Sequence, residues 1–134
     1  MKEIPMSQYA FGKRVAMNFD TAVQRITEEL SKVGFGILTD IDVQATMRKK
    51  IGVEMRPYRI LGACNPQIAH KAITAEPQIG ALLPCNVVVR QDAQDQVHVE
   101  FMDPDAVLRL VDNPAVPALA SEVRQKLEQA LQAL

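Results

Sequence analysis

The chain has 134 residues, of which 48% are hydrophobic and 23% charged, and its formal net charge is −1. This composition is typical of a globular protein and excludes a disordered tail or a collagen-like fibre. Two cysteines are too few for a disulfide scaffold. At this length we expect a single domain over residues 1–134.

Charge and hydropathy also exclude several partners. A nearly neutral chain argues against a general nucleic-acid binder. The amino-terminal segment Met1–Pro5 lacks the apolar core of a signal peptide, and the longest uncharged run, Pro77–Val89, is too short to span a bilayer. We therefore predict a cytoplasmic protein with no membrane partner and with reduced thiols.

The basic residues are concentrated in the first half of the chain. Residues 1–67 carry ten Lys and Arg against seven Asp and Glu, whereas residues 68–134 carry five against nine. Five basic residues fall between Arg48 and Arg59. We interpret them as a solvated helix end followed by a strand entry; the alternative is a patch that holds an anion.

The hydrophobic periodicity predicts alternating strands and helices. In chain order it indicates a strand over 9–15, a helix from Asn18 or Asp20 to Gly34, a strand over 35–39, a short helix from Asp42 to Gly52, a strand over 58–64, a helix from Asn65 to Pro77, strands over 85–90 and 97–101, a short helix from Asp103 to 111, and a last helix from about 117 to the end. The predicted hairpin and the amphipathic helices favour a two-layer α+β fold, a mainly antiparallel sheet with helices packed mostly on one face.

Two short segments share a Cys-Asn pair next to a predicted strand end. They are Gly62-Ala63-Cys64-Asn65-Pro66 and Leu83-Pro84-Cys85-Asn86. Cys64 lies just before a helix amino terminus, where unpaired amide groups favour a thiolate. Asn65 is expected to cap that helix.

Three interpretations of the thiols stay open. They form a redox pair in which Cys85 resolves Cys64, or they bind a soft metal together with His70, or they are small buried hydrophobic side chains. Helical and strand periodicity place His70 and His98 at the surface, which weakens the metal interpretation.

Three segments together resemble domain-of-unknown-function family 302. They are Gly34–Val43, Arg56–Pro66 and Leu82–Val89. The resemblance implies a compact α+β domain with a topology similar to that of the TATA-binding protein, and a homodimer. It supplies no catalytic residue. The family pattern includes Cys64, Asn65, Pro66, His70, Glu76, Pro77, Pro84, Cys85 and Asn86, which strengthens the case for a site around the two thiols.

Our leading hypothesis is a cytoplasmic homodimer that binds a small molecule or an ion at a thiol-lined pocket. Cys64 supplies the thiolate, Cys85 the second sulfur, and Asn65 and Asn86 orient the ligand or the neighbouring backbone. The sequence does not specify a cofactor, a metal or a reaction. One alternative is a non-catalytic assembly module, whose contact surface is Leu82-Leu83-Pro84 with the last helix. Another is an enzyme that holds an anionic substrate at the basic segment.

Overall fold

A computed structural model describes residues 8–134 and the backbone of residues 3–4. Met1, Lys2 and Pro5 of the amino-terminal segment lie outside the described residues. None of the helices within this part of the chain is both long and apolar enough to cross a membrane.

Within the described residues, six strands form one antiparallel sheet, which confirms the mainly antiparallel sheet that the sequence predicted. The strands are β1 (Glu3–Ile4), β2 (Ala10–Val15), β3 (Gly36–Asp42), β4 (Tyr58–Cys64), β5 (Cys85–Gln91) and β6 (Val97–Met102). Their spatial order is β1-β2-β6-β5-β4-β3, and every neighbouring pair is antiparallel. The two-residue strand β1 was not predicted, because two residues are too few to show a period-two pattern.

Five α-helices accompany the sheet in the part of the chain that the structure describes. They are α1 (Phe19–Lys32), α2 (Val43–Ile51), α3 (Pro66–Ala75), α4 (Pro104–Val107) and α5 (Val116–Gln132), with 3-10 helices at Pro77–Leu82 and Leu108–Leu110. Their starts follow the cap chemistry of the sequence. The side chains of Asn18, Asp42, Asn65 and Asp103 each accept a backbone N–H at the start of α1, α2, α3 and α4.

The main hydrophobic core lies between one face of the sheet and the helices α1 and α5. Ile26 and Leu30 of α1 and Leu127 of α5 pack there against Val87 and Val99 of the central strands, and all five are fully buried. We call this cluster the sheet core. It confirms the two-layer α+β prediction, with the amphipathic faces of α1 and α5 turned to the sheet.

A second, smaller core lies under the first half of α5. It contains Ala72 of α3, Ile79 and Leu108 of the two 3-10 helices, and Val116 and Ala120 of α5. We call this cluster the end core. Leu119 of α5 packs against both cores, so this one helix joins them.

The prediction that His98 lies at the surface is wrong. His98 is 7% exposed, because Asp92 of the β5–β6 loop lies against it and the two are joined through His98 Nε2 and Asp92 Oδ2 at 2.8 Å. Strand alternation identifies which sheet face a side chain occupies, but not whether a loop covers that face. His70 on α3 is exposed, as predicted.

Candidate functional site

An apolar cavity of about 260 Å³ lies between the two cores. The sheet core contributes Phe35, Ala63, Ile68, Cys85 and Val123 to its wall, and the end core contributes Ala72, Ile79, Leu108 and Val116. The remaining lining residues are Leu38, Cys64, Asn65, Ala69, Ile73, Leu83, Pro84 and Leu119. No lining residue carries a charged side chain, so the cavity suits an uncharged occupant.

Both cysteines line this cavity. Cys64 is the last residue of β4 and Cys85 the first residue of β5, and the two strands pair antiparallel with Ala63 opposite Cys85. This register brings to one end of the sheet two cysteines that are separated by 20 intervening residues in the sequence. Both are free thiols; Cys64 is half-buried and Cys85 is buried.

The two thiols differ in their electrostatic environment. Burial raises the pKa of the Cys85 thiol to about 11, and the charge of Cys64 adds to the shift. A buried thiol without a nearby cation keeps its proton at neutral pH. Cys85 is therefore a neutral wall group, which argues against its acting as an attacking thiolate.

Among the described residues that line the cavity, Asn65 is the only one with an amide side chain. Its Oδ1 accepts the backbone N–H of Ile68 at 3.2 Å and thereby caps α3. Its Nδ2 lies against Gly34, where φ is +91° and a Cβ would come within 3.0 Å of the nitrogen. Within residues 8–134, Nδ2 donates no hydrogen bond to the protein, and Gly34 beside it does not line the cavity.

Asn86 is not among the residues that line the cavity. It is exposed and follows the buried Cys85 directly on β5. Successive side chains of a strand point to opposite faces, so Cys85 and Asn86 cannot both face the cavity. The other Cys-Asn pair escapes this constraint, because β4 ends at Cys64 and Asn65 begins the turn into α3.

Gly62 allows the loop before β5 to approach the sheet closely. A Cβ on Gly62 would lie 2.2 Å from Thr39 Oγ1 and 2.8 Å from Pro84 Cγ. Pro84 is itself part of the cavity wall. Protein side chains, and not a ligand, therefore occupy the space beside Gly62.

Asn113 was not identified from sequence as part of the site. Its Nδ2 donates to Ala75 O at 2.9 Å and to Glu76 Oε1 at 3.1 Å, which ties the end of α3 to the loop before α5. Ala72 of α3 and Val116 at the start of α5, next to these two elements, both belong to the end-core wall of the cavity. In the sequence, Asn113-Pro114 indicated only a helix break. The hydrogen-bond partners of Asn113 lie almost 40 residues away, so the local sequence does not show them.

The basic segment is largely neutralised by acidic partners. Arg48 pairs with Glu54 at 2.9 Å, Arg56 pairs with Asp95, and Arg59 pairs with Asp40 at 2.5 Å. This supports the interpretation of a solvated surface rather than of a free anion patch.

The metal interpretation gains no support from the structure. Across the described residues, His, Cys, Asp and Glu side chains nowhere gather in a group of three or more that could hold a metal ion. His70, the proposed third ligand, is exposed and is not part of the cavity wall.

The fold and the cavity define the chain as a small two-layer α+β domain with an apolar, thiol-lined hollow at one end of its sheet. The family model described as domain of unknown function DUF302 matches residues 11–134. The chain belongs to the DUF302 family. No curated protein matches it.

A solved structure shows the same fold. It is the crystal structure of an uncharacterized conserved DUF302 protein from Bacillus stearothermophilus, with 25% sequence identity and a TM-score of 0.87. The match covers 94% of this chain and 98% of that chain.

Proposed function

We propose that this protein is a binding module for a small, mainly apolar molecule, which occupies the cavity beside Cys64 and Cys85. The observation that carries the proposal is the cavity itself, an uncharged hollow of about 260 Å³ at the junction of two cores. Few polar groups converging on an apolar pocket are typical of a small-molecule site. The roles of Asn65, Cys64 and Cys85 as ligand contacts are part of this proposal; Asn86 is not.

The cost of the empty cavity supports an occupant. The apolar wall of the cavity, which opens at Leu38 and Ile73, lacks the dispersion contacts of a filled core and so costs free energy. A ligand that fills the void recovers part of this free energy through burial and dispersion contacts. Filling the space with side chains would be the simpler solution if the protein needed only stability.

The cavity has an apolar mouth. Leu38 and Ile73, which both line it, are 67% and 44% exposed. Hydrophobic side chains at such positions lose little by being partly solvated and gain contacts when an apolar molecule enters. They provide an entry route that does not require the sheet core to open.

The test is binding of isopropylbenzene, measured as the change in melting temperature. An apolar cavity of about 150 Å³ holds benzene, so about 260 Å³ suits roughly nine non-hydrogen atoms. A free ligand concentration of ten times Kd stabilises the folded protein by about 1.4 kcal/mol, which raises Tm by roughly 4 °C. We expect Ala69→Leu, which places bulk in the cavity from α3, to abolish this rise.

Gln67→Leu is the matched control, because it adds an apolar side chain to an exposed position of the same helix. It should bind as the wild type does. Binding that is unaffected by Ala69→Leu, or the lack of any Tm rise in the wild type, would contradict the proposal.

A second proposal is that the chain forms a homodimer. Its support is the edge strand β3, which among the described strands pairs only with β4 and exposes Leu38 and Ile41. Leu82 and Leu83, which the sequence suggested as the contact surface, instead pack against the end core. Light scattering should give about twice the monomer mass of 14.8 kDa for the wild type. It should give about the monomer mass for Ile41→Asp.

Leu110→Asp is the control for the dimer, because Leu110 is 81% exposed at another surface. It should leave the mass unchanged. A monomeric wild type at micromolar concentration would refute the dimer without affecting the binding proposal.

A further inference from the structure

We infer that the ligand of this cavity is a single-chain amphiphile. Its aliphatic tail, of about nine carbons, fills the cavity of about 260 Å³, and its polar head stays in water at the mouth. The inference rests on the proposed binding function and deepens it by naming the class of ligand. The wall, the inner end and the mouth of the cavity support it.

The wall of the cavity offers nothing to a polar head. Among the described residues that line it, none carries a charged side chain, and the wall exposes almost no polar surface. Asn65 Oδ1 already accepts the backbone N–H of Ile68, and its Nδ2 lies against Gly34, which does not line the cavity. Because a polar group buried without a hydrogen-bond partner costs free energy, the part of the ligand inside the cavity is hydrocarbon.

The inner end of the cavity is closed by buried aliphatic side chains. They are Ile79 and Leu108 of the two 3-10 helices and Val116 of α5. Phe35 is the only aromatic side chain among the described lining residues, so the ligand meets a mainly aliphatic wall. Dispersion contacts with such a wall have no directional preference, which suits a flexible chain whose terminal methyl lies at this end.

The mouth of the cavity is apolar and lies in water. Leu38 of β3 and Ile73 of α3 line the cavity, and both are exposed. A molecule that lay wholly inside would leave these two side chains in contact with water. A chain that leaves the cavity through the mouth covers them and so buries more apolar surface.

A β-bulge places Leu38 at this mouth. Ile37 pairs with Ala63 and Thr39 pairs with Gly62, so Leu38 is an extra residue of β3 that has no partner on β4. Ile37 packs against the sheet core, and in a regular strand the next side chain would point away from it. Bulges change the direction of a side chain and are frequent beside functional sites. Here the bulge accompanies a leucine that is exposed and also lines the cavity.

The first test is a series of alkanoates from hexanoate to tetradecanoate, whose Kd values are measured by calorimetry on the full chain at pH 7, below micelle formation. Each methylene that moves from water into the cavity should tighten binding about fourfold, up to a tail of about nine carbons. Beyond that length the gain should fall below about twofold per methylene, because the added carbons stay largely in water. Binding that does not change with chain length would overturn the inference.

The second test varies the head on a constant tail. Decanoate, 1-nonanol and nonyltrimethylammonium share a nine-carbon tail and carry a negative, a neutral and a positive head. Because the head stays in water, their Kd values should agree within about fivefold, the range that exposed charge pairs produce. Selection of one charged head would show that the protein recognises the head. Binding of 1-nonanol with exclusion of both charged heads would show that the ligand is wholly enclosed. Either result contradicts the inference.

Leu38→Ser tests the mouth. It should weaken the binding of dodecanoate, whose tail reaches the mouth, by about fivefold and leave isopropylbenzene within about twofold. Ile41→Ser is the matched control, because Ile41 is also an exposed residue of β3 but does not line the cavity. It should change neither ligand. Equal weakening of dodecanoate by both variants would remove the mouth from the site and the inference with it.

The remaining outcomes separate this inference from the proposed function. If isopropylbenzene binds but none of the three amphiphiles with nine-carbon tails does, the inference is overturned and the apolar binding site stands. If neither isopropylbenzene nor any amphiphile binds, the proposed function fails and the inference fails with it. Phosphatidylcholine vesicles should not sediment the protein; sedimentation would assign the mouth to a bilayer instead of a free amphiphile.

Discussion

Helix α5 contributes side chains to both cores of this protein, but the two cores are packed differently. The second half of α5 turns Leu127 into the sheet core, where it is fully buried among α1 and the central strands. The first half turns Leu119 toward a cavity, with the end core on its far side. A regular hydrophobic stripe thus gives complete packing at one end of a helix and open space at the other, so periodicity alone does not reveal a binding site.

The largest expected effect contrasts Leu127→Ala with Leu119→Ala on this one helix. Leu127→Ala leaves a new void in a filled core and should lower the free energy of unfolding by about 3 kcal/mol. Leu119→Ala enlarges space that is already present, and the half-buried side chain has less contact to lose, so we expect about 1 kcal/mol. Urea denaturation of both variants measures the difference.

Equal losses of unfolding free energy in Leu127→Ala and Leu119→Ala would contradict the proposed difference between the two cores. They would mean that the cavity region is as tightly packed as the sheet core. Similar m values in wild type and variants are needed for the comparison of the free energies.

The second prediction concerns the thiols that stand where the two cores meet. At pH 8 a thiol of pKa about 11 is ionised in about one molecule in a thousand, and Cys85 is buried as well. Iodoacetamide should therefore modify the half-buried Cys64 at least tenfold faster than Cys85. Mass spectrometry of the wild type, with Cys64→Ser and Cys85→Ala as single-thiol controls, gives both rates.

Faster modification of Cys85 would show that the cavity end opens readily and would remove the distinction between the two thiols. Complete protection of both thiols at pH 8 would remove the redox interpretation of the pair.

The smallest expected effect concerns the hairpin of β5 and β6, in which Val97 and Val99 of β6 belong to the sheet core. The hydrogen bond from His98, supported by the backbone N–H groups of Gln96 and Gln94, lowers the pKa of Asp92 from 3.8 to about 2. A carboxyl whose pKa is lowered on folding stabilises the protein above its unfolded value, and this contribution disappears as the pH falls from about 4 through about 2.

Asp92→Asn should therefore flatten the decline of the free energy of unfolding between pH 4 and pH 2, measured by denaturation at each pH. Asp112→Asn, in a loop far from the hairpin in sequence, should leave the decline as in the wild type. An unchanged pH profile in Asp92→Asn would show that the pair does not contribute to the stability of the sheet core.

Local chemistry made most of the fold predictable. The caps Asn18, Asp42, Asn65 and Asp103 act within three residues of their own positions, so the sequence shows them directly. The prediction that the strand from Phe35 ends at Thr39 fell short, since β3 continues to Asp42. Arg59 on β4 stabilises this acidic strand end, because its guanidinium pairs with Asp40 and lowers the pKa of that carboxyl.

The candidate site was predictable only where it is local. Cys64, Asn65 and Cys85 stand out in the sequence, because each lies at a strand end or a cap. The apolar wall from Ile79, Leu108 and Val116 did not, because residues spread over three elements meet only through tertiary packing. Asn86 was the avoidable misplacement, since strand alternation already separates it from Cys85.

The space between the cores has one more physical consequence. Unfolding abolishes the part of this cavity that water does not fill, so the unfolded chain with its solvent occupies less volume than the folded molecule. Hydrostatic compression therefore acts on this protein mainly through the region that holds the cavity of about 260 Å³. Pressure would loosen the contacts of α3 and the 3-10 helices with α5 before it reached the strands beneath α1, and an occupant of the cavity would make the molecule harder to compress.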